Sequence, residues 1–197
     1  MAMSLTELQA AESYSNRRVV EGAGFITRGG VLVHSWGDLS ALYDVKSVTL
    51  SLVGASALGL AMDDGLISLA GFAQNYMTSF GVPADANATT GWLGSITIEQ
   101  LATQSTGFDK PGGFCDLILQ PGTVWSYSDC GANWLADILT MRFKQDLYVV
   151  AQERLFEPLG IDPSMLTWRT NRLRSPNTLK VVAGNPGVRV SRREIAS

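Results

Sequence analysis

Apolar positions change their period several times along the chain, and each change marks an element. Residues 1 to 21 mix polar and apolar side chains and read as a helix or an ordered arm. Phe25-Ile26-Thr27 and Val31-Leu32-Val33-His34 are β-rich runs on either side of Arg28-Gly29-Gly30, the pattern of a hairpin with a glycine turn, and Trp36-Gly37-Asp38 ends it. Ser47 to Asp63 reads as a helix that is apolar on nearly every face, which predicts a central position. Ser47 is a candidate cap, and Asp63-Asp64-Gly65 is its stop. A short amphipathic stretch follows Ile67-Ser68-Leu69 and ends near Phe80, and Pro83 to Gly94 reads as a loop. Thr97 and Gln100 stand at capping-box spacing before a further helix. Lys110-Pro111-Gly112-Gly113 is a turn, and both Asn133 to Phe143 and Leu147 to Phe156 carry helical periodicity. After Trp168 the chain turns loop-like and basic, with Arg169, Arg172, Arg174, Lys180, Arg189, Arg192 and Arg193.

These elements predict an α+β protein, a helical region packed on an N-terminal β-hairpin. With no internal repeat and no flexible linker, residues 1–197 read as a single domain, an arm over 1–21 and the domain proper over 22–197. At 197 residues and 46% hydrophobic content the chain is long enough to bury one sizeable core.

The net charge is −3 and the sequence pI about 5.1, so no global positive field draws nucleic acid or anionic lipid. The arginines of the tail lack the aromatic interleaving of a nucleic-acid module, and the bland reading is a surface loop. The most apolar run, Ser47 to Met62, is too short and too polar for a membrane span. Met1 to Arg18 has no apolar stretch of the kind an export signal needs, and a cytoplasmic protein is the expectation. One histidine, His34, and two cysteines, Cys115 and Cys130, make a zinc site an unfavoured reading, and no cofactor is expected. The cysteines read as small buried hydrophobes, although spacing alone cannot set the Cα separation that a disulfide requires.

The chemistry concentrates in two segments. The first is Asp44-Val45-Lys46-Ser47-Val48-Thr49-Leu50-Ser51. It resembles the active-site helix of the serine β-lactamase, penicillin-binding protein and esterase superfamily, in which a serine opens a buried helix and a lysine follows three residues later. The run Asp63-Asp64-Gly65-Leu66-Ile67-Ser68-Leu69 is similar to the turn after that helix. The resemblance implies Ser47 as the nucleophile. A serine hydroxyl is weak at neutral pH and needs a base within reach. Residues three apart on a helix share a face, and a buried lysine can shed its charge and accept the proton. Here Leu50 holds the lysine's place, and loss of general-base help costs on the order of 10²–10⁴ in rate. Lys46 adjoins Ser47 and projects from a different face. Apart from the resemblance, Ser47 reads simply as a helix cap.

The second segment is Pro121-Gly122-Thr123-Val124-Trp125-Ser126-Tyr127-Ser128-Asp129, which resembles the superfamily's Tyr-x-Asn motif after a Pro-Gly turn. The resemblance implies that Tyr127 assists proton transfer and that Asp129 contacts substrate. An ionised aspartate accepts hydrogen bonds but donates none, unlike the commoner asparagine. The stretch from Ile96 to Gly107 resembles the segment before this motif, with Gln104 where histidine is frequent. It reads as structural, with Gly107 required by its turn.

The family's third motif, Lys or His followed one residue later by Gly, has no match after Val181. The resemblance covers most of residues 25 to 197 but about the first half of a family domain. It implies an incomplete β-lactamase/transpeptidase-like fold, truncated on its C-terminal side. Such a fold lacks an oxyanion donor and exposes a strand edge through which copies of the chain can associate.

Two classes of function follow. One is a serine hydrolase that transfers the acyl group of a β-lactam, peptide or ester to Ser47, impaired by Leu50. The other is a non-catalytic binding or interaction protein on the same scaffold; a damaged coding sequence is a third reading. A Ser-His-Asp triad through His34 is disfavoured because no Gly-x-Ser-x-Gly elbow is present. Neither nucleic acid nor membrane is an expected partner.

Overall fold

The structure is a computed structural model that describes residues 3–18, 22–43, 47–82, 85–110, 115–161, 166 and 168. Its contacts divide the chain into two compact units, Met1–Tyr43 and Asp44–Ser197. The basic tail from Arg169 onward, Lys46, and the segment after Val181 lie outside the described residues.

In the first unit, helix α1 (Leu5–Ser15) begins where the Ser4 hydroxyl accepts a hydrogen bond from the Glu7 amide. Strands β1 (Gly24–Arg28) and β2 (Val31–Trp36) pair antiparallel, with Arg28 opposite Val31. Gly29 and Gly30 make the turn with φ of 58° and 80°, the left-handed pair that a two-residue hairpin demands. The register shifts between Ile26 and Thr27, a bulge in the ladder. His34 Nε2 lies 2.8 Å from Glu12 Oε2 and ties α1 to β2. Among the described residues no third strand joins this sheet, and Phe25 (63%), Val31 (65%) and Leu32 (53%) stay exposed.

The second unit is helical. From Val48 the chain enters a π-helical turn, Leu50–Gly54, that runs directly into α2 (Ala55–Asp63). Gly65, at φ 67°, ends it as expected. Helix α3 (Ala73–Tyr76) follows. The segment expected as a loop holds α4 (Asp85–Thr89) and most of a 3-10 turn, Leu93–Ser95. The capping box is present at the start of α5 (Ile98–Ala102), where Thr97 Oγ1 accepts from the Gln100 amide and Gln100 Oε1 from the Thr97 amide. Helix α6 (Asp129–Phe143) starts four residues before the apolar period announces it. Its first turn is set by the cap Ser128, whose hydroxyl accepts from the Gly131 amide. Helix α7 (Leu147–Ala151) continues as a second π-helical turn, Gln152–Phe156. Among the described residues no helix is long and apolar enough to cross a membrane.

The central helix is α6, not the run from Ser47 to Asp63. Every residue of α6 from Asp129 to Thr140 is buried, whereas Leu52 and Met62 are exposed. The exposed positions of the earlier run mix small residues, Ser51, Ala55 and Gly59, with the larger Val48, Leu52 and Met62. Trp134 of α6 meets Phe80 edge-on at 5.3 Å, and Phe80 meets Phe108 at 5.9 Å, so three buried rings centre the core. Beside them Asn87 is buried with its amide fully used. Its Nδ2 donates to the carbonyls of Gly81 and Cys115, each at 3.0 Å, and its Oδ1 accepts from the Leu117 amide at 2.7 Å.

Asn87→Ala leaves three backbone groups without this partner, two of them in buried bonds, and a buried group without a partner costs about 1–3 kcal/mol. We expect a loss of roughly 3 kcal/mol in urea unfolding. A loss below about 0.5 kcal/mol, the range of ordinary surface changes, would show that these bonds are replaceable.

Candidate active site

The two segments singled out in the sequence meet in space. Ser47 stands immediately before the first helical residue of the run that becomes α2, and Tyr127 stands immediately before Ser128, the cap of α6. The Tyr127 hydroxyl donates to Ser47 Oγ at 2.9 Å across 80 residues of sequence. Both side chains are half-buried, which leaves the pair reachable from solvent.

Tyr127 is held from both flanks by one residue. The carbonyl of Gln104 accepts from the Ser126 amide at 2.9 Å, and its side-chain Oε1 accepts from the Ser128 amide at 2.8 Å. Gln104 has φ 60°, a left-handed conformation uncommon for a residue with a side chain. Ser128 Oγ also donates to the Asp109 carbonyl at 2.8 Å. Gly107 takes φ 83° in the same turn, where a Cβ would lie 2.1 Å from the Leu119 carbonyl oxygen. Gln104 thus clamps the tyrosine, a role that capping patterns and helical periods do not signal. The outlier at φ 60° emerges only with the fold.

Asp129 opens α6 and is buried at the positive end of that helix, where a carboxylate is favoured. Burial pushes the Tyr127 phenol above its ordinary pKa. The Ser47 hydroxyl pulls the other way, and the nearby Asp129 carboxylate raises it further. The net shift is upward, so at neutral pH Tyr127 is a neutral phenol.

Leu50 begins the π-helical turn, and its amide donates to the Ser47 carbonyl at 3.0 Å. Its side chain lines a pocket of about 80 Å³ with Leu58, Leu101, Leu135, Leu139 and Leu147. Gln104 is the one polar side chain among the described lining residues. The base position of the resemblance therefore faces hydrocarbon. His34, the single histidine, is engaged by Glu12 within the first unit.

A comparison with curated proteins found no match. The family model described as Beta-lactamase matches residues 9–178, a span that includes both the Ser47 and the Tyr127 segments. A match over most of the chain, with the two motif segments in hydrogen-bond contact, places it: the chain belongs to the Beta-lactamase family, on a serine-hydrolase-like scaffold.

Proposed function

We propose that this chain carries a serine acyl-transfer site of low activity, with Ser47 as nucleophile and Tyr127 as proton donor; Asp129, expected from the resemblance to contact substrate, is buried and acts on Tyr127 instead. The 2.9 Å contact between Tyr127 and Ser47 supports this reading above all, because a serine and a phenol converge at a helix start beside a solvent-reachable surface. In the proposed reaction Ser47 Oγ adds to the carbonyl carbon of an ester, β-lactam or peptide and loses its proton to water. Tyr127 gives its own proton to the departing oxygen or nitrogen and regains one from solvent. Water then cleaves the acyl-serine ester. Activated esters suit such a site best, since their leaving groups need little protonation.

The rate limit lies at the first proton. Leu50 accepts none, and the raised pKa of Tyr127 keeps the phenol from serving as base. The same leucine supports the second reading, a scaffold that binds without turnover, because position 50 packs as an apolar residue against the core.

Hydrolysis of a chromogenic aryl acetate by the purified chain separates the two readings. We expect slow turnover that Ser47→Ala lowers at least tenfold. Equal rates in the two proteins would remove the catalytic reading and leave the binding one.

Leu50→Lys places an amine one helical turn from Ser47 in apolar surroundings, which lower a lysine's pKa and free it to accept a proton. Turnover is expected to rise by tenfold or more, since a general base contributes about 10²–10⁴. An unchanged rate in a folded variant would count against position 50 as the base site.

The phenol of Tyr127 is more protonated in the folded chain than in the unfolded one at alkaline pH. Its contribution to stability is therefore complete below the ordinary tyrosine range near pH 10 and fades as pH rises through the higher folded value. An absorbance titration of wild type minus Tyr127→Phe should show this phenolate forming above about pH 10. Ionisation below that range would recast Tyr127 as a base.

A further inference from the structure

We propose that Cys115 and Cys130 form a redox modification site, a dithiol that closes into an intramolecular disulfide and pins the start of α6 beneath Tyr127. Both are free thiols in the structure. The Cys115 amide donates to Cys130 Sγ at 3.0 Å. An N–Cα bond is about 1.46 Å, so the Cys115 Cα lies within roughly 4.5 Å of the Cys130 sulfur, and the two thiols are near enough to interact; closing the bridge requires the Cys115 thiol to turn away from the Asp109 carbonyl.

Both backbones are already held. The Cys115 carbonyl is bound by the buried Asn87 amide at 3.0 Å, and Cys130 sits in the first turn of α6, which Ser128 caps. The two thiols differ in access. Cys130 is fully buried, and both the adjacent Cys115 thiol and burial push its pKa up. Cys115 is partly exposed and is the sulfur that an outside oxidant reaches.

With a low-molecular-weight disulfide as oxidant, the Cys115 thiolate attacks one of its sulfurs and expels a thiolate. Cys130 then attacks Cys115 Sγ and passes its proton to the second thiolate as that thiolate leaves. Two protein thiols are oxidised by two electrons, and one external disulfide becomes two thiols. The Cys115 thiol donates to the Asp109 carbonyl at 3.1 Å, and that bond is lost with its hydrogen. The same carbonyl keeps its bond from Ser128 Oγ, so the cap of α6 survives oxidation. The bridge spans 15 residues and encloses Tyr127, Ser128 and Asp129. Oxidation thus restrains the loop that carries the phenol.

The test uses the full chain, reduced, freed of reductant, and equilibrated with oxidised glutathione. Alkylation and intact mass should show a monomer lighter by about 2 Da with neither cysteine alkylated. The thermal midpoint should rise by roughly 5–10 °C, as expected for a closed loop of this length. Cys115→Ser and Cys130→Ser should each abolish both changes. Two alkylated thiols, a glutathione adduct that stays on Cys115, or a dimer joined by disulfide would overturn the proposal, as would a midpoint rise that persists in either serine variant. If one variant fails to fold, the wild-type mass and the other variant decide the matter.

Discussion

The hydrogen bond from Tyr127 to Ser47 joins two helix starts that are 80 residues apart. Neither end is a regular helical position, so no local ladder of hydrogen bonds sets their separation. The distance is held instead by what lies behind each residue. Behind Ser47 the run into α2 packs against α6, and behind Tyr127 the Ser128 cap ties the loop to α6 itself. Because α6 is buried along twelve residues, both sides of the contact refer to one rigid element.

The electrostatics of the site follow from the same burial. Withdrawal of Tyr127 from water and the proximity of the Asp129 carboxylate both favour the neutral phenol. A neutral phenol is therefore the form of Tyr127 at neutral pH. Leu50 completes the pattern, since it belongs to the apolar packing that makes the helix run a good scaffold. Position 50 is taken up by that packing. Gln104 shows the reverse choice, a residue held at φ 60° whose two acceptors fix the loop that carries the phenol.

Much of the local architecture was legible in the residues. The hairpin about Gly29 and Gly30, the capping box of Thr97 and Gln100 and the stop at Gly65 depend on a few neighbouring side chains, and each appears where the pattern puts it. Errors arose where an element's start is set by a cap and not by an apolar period, as at Ser128, or where a short helix lies in a polar stretch, as at α4. The Ser47 to Asp63 run is also less buried than its apolar pattern predicts, with Val48, Leu52 and Met62 facing solvent.

By itself, then, the sequence determined the short-range geometry: turns, caps, and the presence of a serine at a helix start with leucine three residues later. It also carried the resemblance that named both motif segments. Only the tertiary structure decided which helix is central, that Gln104 grips the tyrosine loop, that Asn87 and Cys115 brace the ground beneath it, and that the two hydroxyls meet. The reason is physical. Local rules act over three or four residues through backbone hydrogen bonds, whereas a contact across 80 residues exists only after the core of α6 has paid for closing the intervening chain.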